Sequence, residues 1–264
     1  MKKKYVNINI PDGLGMQLCV FNTFARSTDE YDFIVDLRNW CYFAKTKQID
    51  FSRIFNLFDF HERAIVMPIK INEIDKKYIT DIKSTKNKYI EYELTLGIEL
   101  NGEKLHASYQ SENLLMRLKE EPIVDFDIEQ CVGVHGRFGN GEGNPALTKR
   151  VVPENLFIEK MKEYDNKFFF VCSDSKPFIN LCKAEFRDRI KVKDRVFLPK
   201  GFGPGHRLSL YKDENIKVDP ITLLYESYVD MHLLSKCSHL ICNESMFNKP
   251  ARFKIPNKNI HLLT

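Results

Sequence analysis

The spacing of apolar positions divides the chain into short alternating elements. Residues 4–10, KYVNINI, alternate apolar and polar side chains and predict a strand. PDGLG follows as a turn, MQLCVFNTFAR (16–26) as a helix and DFIVDLR (32–38) as a second strand. Strand, glycine turn, helix, strand is the order of a βαβ unit. SRIFNLFDF (52–60) reads as a short helix or loop packing phenylalanines, and AIVMPI (64–69) as a strand. Two alternating runs flank Asn101-Gly102 within residues 89–110, which predicts a β-hairpin inserted in the first half. SENLLMRLKE (111–120) reads as a helix with a serine N-cap.

The acidic, proline-marked stretch EEPIVDFDIE (120–129) divides the chain into residues 1–124 and 125–264. Past it the pattern changes to buried-type strands between helices. QCVGVHGR (130–137), KFFFVCSDS (167–175), RVFLP (195–199) and HLICN (239–243) read as strands. VPENLFIEKMKEY (152–164), KPFINLCKAEF (176–186) and ITLLYESYVDMHLLSKC (221–237) read as helices, KGFGPGH (200–206) as a loop, and SMFNKPARF (245–253) begins a further short element. Runs apolar on both faces belong to parallel sheets covered by helices. The predicted fold class is therefore α/β: two Rossmann-like lobes with parallel sheets and a cleft between them.

Composition narrows the function. The 264 residues are 43% hydrophobic, enough for a sizeable core, and Lys+Arg 40 against Asp+Glu 36 leaves +4. That excess is scattered, with no basic aromatic stripe, so a nucleic-acid partner is not expected. The seven cysteines are odd in number, lack a C-x-x-C pair and mostly sit in apolar runs; they read as buried free thiols, which points to a reducing, cytoplasmic compartment. No run of about 18 apolar residues occurs, so no transmembrane segment is expected, while peripheral membrane contact stays open.

The segment GVHGRFGNGEGNP (133–145) concentrates the candidate chemistry. It ends a buried strand, where ligands of open α/β sheets bind. Arg137 offers a planar fork matched to phosphate oxygens, and the glycines let backbone approach a ligand. A glycine-rich turn with a surface arginine is the alternative. Without G-K-[ST] the loop is not a Walker A motif, and the chain has no ligand-spaced His/carboxylate cluster, so no metal site and no cofactor are expected.

VHGRFGNGE resembles the first signature of the GDP-fucose-using transferases, the superfamily of α-1,6-, α-1,2- and protein O-fucosyltransferases. Its Gly-Asn-Gly-Glu form is most similar to that of the bacterial nodulation fucosyltransferases. INIPDGLGMQLCVFNTFA, FFFVCSDS and VDMHLLSKCSHLICNESMF resemble further blocks of the superfamily, in the same order along the chain. The resemblance implies a GT-B-like architecture, with 1–124 as the acceptor-side lobe and 125–264 as the nucleotide-sugar-binding lobe. It implies an inverting, metal-independent transfer of L-fucose from GDP-fucose to a glycan hydroxyl in microbial surface polysaccharide synthesis. Another nucleotide sugar on the same scaffold, or a non-catalytic relative binding nucleotide or glycan, are the alternatives.

Carried over residue by residue, the resemblance assigns Arg137 to the β-phosphate, His135 and Asp230 to the guanine, and Ser245, Met246 and Phe247 to the diphosphate loop. Asp174 and Asn140 fall near the nucleotide, and Gly13 and Gly15 in a turn facing the donor. Glu142, the carboxylate of the arginine loop, is the candidate base. Each has a plainer reading: a helix cap for Asp174 and Ser245, a satisfied strand-end histidine for His135, a solvated helix-face carboxylate for Asp230, a tight βα connection for the glycines, a solvated loop for Glu142. Three departures stand out. Phe138 occupies the place of a second tandem arginine found in several relatives. Gly136 replaces an apolar residue, which predicts a looser strand end. Glu244 precedes Ser245, where a carboxylate repels a diphosphate unless it turns away.

Overall fold

The computed structural model describes residues 4–7, 14–27, 31–37, 40, 42–43, 49–66, 79–81, 83–84, 88–90, 93–100, 103–107, 115–139, 151–197 and 218–264. The chain forms two compact units, Met1–Glu121 and Pro122–Thr264.

In the first unit, β1 (Lys4–Asn7), α1 (Leu14–Ser27), β2 (Tyr31–Val35), α2 (Phe51–Leu57), β3 (Phe58–Phe60), β4 (Ala64–Val66) and β5 (Ile79–Asp81) follow in order. Strands pair in parallel in the order β4-β2-β1-β5, the arrangement that the βαβ pattern implies. Residues 14–22 of α1 are buried, including Gln17 and Asn22, and Phe21 meets Phe33 of β2 edge-on at 5.0 Å. A helix buried nearly all round belongs to an interior layer.

The inserted hairpin is present. β6 (Lys83–Ser84), β7 (Lys88–Ile90) and β9 (Glu103–Ala107) pair antiparallel with β8 (Glu93–Leu100), and Leu100 opposite Glu103 leaves a two-residue connection at 101–102. Two expectations need correction here. Residues 52–60 divide into helix and strand. The helix expected over 111–120 is, where described, a strand: β10 (Met116–Leu118) pairs antiparallel with β3. Met116 is buried, Arg117 exposed and Leu118 half-buried, a period of two that strand pairing selects over helix propensity.

The second unit contains β11 (Val132–Gly136), α3 (Glu154–Lys162), β12 (Phe169–Ser173), α4 (Lys176–Phe186), β13 (Ile190–Lys191), α5 (Pro220–Leu234), β14 (His239–Asn243), α6 (Lys249–Lys254) and β15 (Ile260–Leu263). Its sheet is parallel throughout, in the order β13-β12-β11-β14-β15. All residues of β11 and β12 are buried, as their apolar runs require. The expected strand at 195–199 is absent over 195–197. The strand beside β12 is the two-residue β13, because the Val196 N–H is taken by the Glu226 carboxylate (3.0 Å) rather than by a ladder. The edge strand β15 was not anticipated; its half-buried IHLL is too short and mixed to announce itself.

The strand order runs outward in one direction from β11 to β12 and β13, and in the other from β14 to β15. The reversal lies between β11 and β14, and such a point leaves a crevice at the strands' carboxyl ends. Those ends are Gly136, followed by Arg137, and Asn243, followed by Glu244 and Ser245.

Candidate functional site

The carboxyl end of β11 is fixed from both neighbours. The Asn243 side chain, at the end of β14, accepts from the Arg137 N–H (2.9 Å) and donates to the Arg137 carbonyl (2.8 Å). Asn243 is buried, and this reciprocal pair joins two loops 106 residues apart. From the β12 side, Asp174 accepts from the N–H groups of Phe138 (2.8 Å) and Gly139 (2.9 Å) and forms an ion pair with the Arg137 guanidinium. Gly139 has φ 77°, a left-handed conformation that glycine adopts without penalty. Asp174 is not the helix cap: Ser175 accepts from Phe178 N and caps α4, which leaves the aspartate to organise the arginine loop. Side chains of Arg137 and Asp174 are only 17% and 16% exposed, so the guanidinium is a held group rather than a solvated one.

The sequence departures explain one another. A Cβ on Gly136 would lie 2.5 Å from Phe138 Cε2 and 3.0 Å from Phe178 Cε1. Phe138 folds back over the glycine and packs at 4.9 Å from Phe178 and 5.8 Å from Phe157. The strand end is therefore filled, not loosened: the ring takes the volume that a side chain at 136 would use. Glu244 is likewise accounted for. It is 11% exposed and pairs with Arg252 (3.0 Å) and Lys249 (3.5 Å), so two cations offset its charge. Ser245 caps the short turn of Met246–Asn248, accepting from Phe247 N at 3.2 Å.

His135 is buried in β11 and its ring stacks on Phe247 at 5.0 Å. Its Nδ1 faces the Asn248 amide nitrogen at 3.1 Å, and that nitrogen also donates to the Asn243 carbonyl at 2.8 Å. The amide nitrogen is thus a donor, His135 Nδ1 an acceptor, and the ring proton sits on Nε2. Burial, then the charges of Arg137 and Arg195, push the imidazole down to about 3, so the ring is neutral across the physiological range.

Asp230 lies on α5 with its side chain 4% exposed, not in solvent. Its Oδ2 accepts from Arg195 at 2.5 Å. Burial raises its carboxyl above the ordinary aspartate range, and Arg195 opposes that rise. Gly15 is buried in the first turn of α1, in the first unit. Gly13, Asn140 and Glu142 lie outside the described residues. The second unit therefore brings His135, Arg137, Asp174, Asp230, Ser245, Met246 and Phe247 onto β11, β12, β14 and the elements against them. Asn243, Asn248 and Arg195 were not singled out from sequence. Asn243 carried a faint signal, an amide closing an otherwise apolar strand; Arg195 carried none.

Six described cysteines are buried free thiols, and burial raises Cys172, Cys182, Cys237 and Cys242. Among the described residues no three His, Cys, Asp or Glu side chains gather as metal ligands would, and no helix is long and apolar enough to cross a membrane.

A parallel sheet whose order reverses beside a fixed arginine, with a capped turn on the opposing strand, defines a doubly wound α/β protein. No family model and no curated protein matches the chain. Among solved structures, NodZ α-1,6-fucosyltransferase co-crystallised with GDP aligns over 97% of this chain and 94% of its own, with TM-score 0.54 and 16% identity. The same enzyme soaked with GDP-fucose aligns over the same shares at 17% identity and TM-score 0.54. Fucosyltransferase NodZ from Bradyrhizobium aligns equally, at 15% identity. The chain thus has the α/β fold of these fucosyltransferases.

Proposed function

We propose that this chain is an inverting glycosyltransferase that moves L-fucose from GDP-fucose to a glycan hydroxyl, in the cytoplasm and in the service of microbial surface polysaccharide synthesis. The observation that carries this reading is Arg137, its guanidinium paired with Asp174 and its backbone held by Asn243, beside the β11/β14 reversal. The fold shared with NodZ, whose structures contain GDP and GDP-fucose, supports the choice of donor.

As the bond from sugar C1 to phosphate oxygen breaks, negative charge grows on the departing GDP. A guanidinium already fixed by its own carboxylate meets that charge with little reorganisation, which is how preorganised electrostatics lowers a barrier. In this reading Arg137 offsets the charge that a divalent cation would otherwise meet. Lys249 and Arg252, outnumbering Glu244, keep the β14 side of the crevice cationic. His135 supplies an N–H donor and Asp230 an acceptor, a pair of opposite polarity suited to the guanine O6 and N1/N2 edge. Glu142 takes the acceptor hydroxyl proton, and residues 1–124 form the acceptor-side lobe.

The test is thermal shift with GDP, UDP, ADP and CMP in the absence of metal. GDP at about 100 times its Kd adds about 2.7 kcal/mol of stability. Stabilisation by GDP that vanishes in Arg137→Ala is the expected result. Equal indifference to all four nucleotides overturns the reading, and GDP binding without transfer to any glycan identifies a non-catalytic relative.

A further inference from the structure

We infer that Arg195 is a positioning residue for nucleobase recognition, holding the buried Asp230 carboxylate as an oriented acceptor for the N–H edge of guanine. The inference rests on the proposed GDP-linked donor.

Two contacts fasten residues 195–197 to the same face of α5. Arg195 NH1 meets Asp230 Oδ2 at 2.5 Å, and Val196 N donates to Glu226 Oε2 at 3.0 Å, four residues earlier on the helix. Residues four apart on a helix share a face, so the stretch after β13 is tied down one turn at a time. The Arg195 guanidinium also lies over the Phe197 ring at 5.4 Å, a further contact on its charged end. These contacts explain why no strand forms over 195–197: the side-chain and backbone donors there are committed to α5. With one carboxylate oxygen fixed by Arg195, the direction of the other is set as well.

The groups facing Asp230 come from several elements. Glu226 on its own helix and burial both favour the protonated acid, while Arg195 favours the carboxylate. From β12 the Cys172 thiol lies against it, with its own ionisation pushed well upward by burial. From β11, His135 is neutral and feels the Arg195 charge. Among the described residues Arg195 is thus the cation that acts on Asp230. Without it a buried carboxyl takes up a proton and presents a donor to the guanine N1–H, which is also a donor.

The experiment measures GDP affinity from about pH 6 to about pH 8.5 for the full chain, Arg195→Met and Arg195→Lys. Wild type and Arg195→Lys are expected to vary by less than about threefold, whereas Arg195→Met loses affinity progressively on acidification, approaching about tenfold per pH unit, the limit for one proton. An Arg195→Met profile parallel to wild type, equal or uniformly weaker, overturns the inference, because a merely structural arginine gives no proton-linked slope. A ligand-free arm compares thermal stability of Arg195→Met with Arg195→Met/Asp230→Asn. The double variant is expected to recover at high pH the stability that the single variant loses when its stranded carboxyl must ionise; no recovery overturns the coupling. A wild-type chain that binds no GDP overturns the donor assignment and the base contact together, while the ligand-free arm still reports on Arg195 alone.

Discussion

Replacing Gly136 with alanine should change sign with the residue at 138. In the native chain the new Cβ would lie 2.5 Å from Phe138 Cε2 and 3.0 Å from Phe178 Cε1. Carbon atoms in ordinary contact sit about 3.5–4.0 Å apart, so the Phe138 ring must retreat by about 1 Å or more. It cannot do so freely. Its own N–H is bound to Asp174, and the ring is wedged against Phe157 and Phe178. Overpacking of this kind costs about 1–3 kcal/mol, against a gain of about 0.5–1 kcal/mol from removing a glycine within a strand. The net is a loss of about 1–2 kcal/mol. In a Phe138→Ala background the worst obstruction is gone, and the Phe178 ring, no longer packed against Phe138, need give only a few tenths of an ångström, so most of the gain remains. At about 2–4 °C per kcal/mol, Gly136→Ala should lower Tm by several degrees in the native chain and raise it by about 1–3 °C in Phe138→Ala. Far-UV circular dichroism is the assay, since the single tryptophan, Trp40, lies in the other unit. An equal shift in both backgrounds would refute the claim that ring and glycine are one packing unit.

Two further outcomes follow from the same crevice. His135 is held neutral down to about 3 in the fold but titrates near 6.5 when unfolded, so the unfolded chain binds the extra proton between those values. Its contribution to stability is complete above about 6.5 and is lost as pH falls, at about 1.4 kcal/mol per unit. Stability measured from about pH 7 to about pH 4 should therefore decline less steeply in His135→Asn than in wild type, and an unchanged slope would contradict the buried neutral imidazole. Asn243→Ala removes both side-chain bonds to the part-buried Arg137 backbone, at up to about 1–3 kcal/mol each. Thermal unfolding should show that loss, and GDP affinity should fall with it; full retention of both would show that the β11/β14 bridge does not hold the arginine.

Parts of this architecture were legible because their signals are local. The strands over 132–136, 169–173 and 239–243 are apolar runs between helical stretches, and such runs have few other places to go. The helix expected over 111–120 gives way to a strand at Met116–Leu118 because LLMRL suits either period, and only pairing with β3 selects between them. Asp174, read equally well as a cap or a residue near the nucleotide, is not the cap, which Ser175 supplies; it binds the N–H groups of Phe138 and Gly139 instead. Arg195 could not be found in this way, since no spacing rule links it to a carboxylate 35 residues later.

By itself the sequence determined the α/β class, the parallel core strands and the strand end that carries His135 and Arg137. Periodicity, turn chemistry and hydrophobic runs act over a few residues and survive in a one-dimensional reading. Tertiary structure alone decided which carboxylate meets which arginine, which tautomer His135 adopts, and that Phe138 fills the space above Gly136. Those outcomes depend on side chains from distant strands meeting in a volume with little water, where an unmet charge or an overlapping ring costs too much to persist.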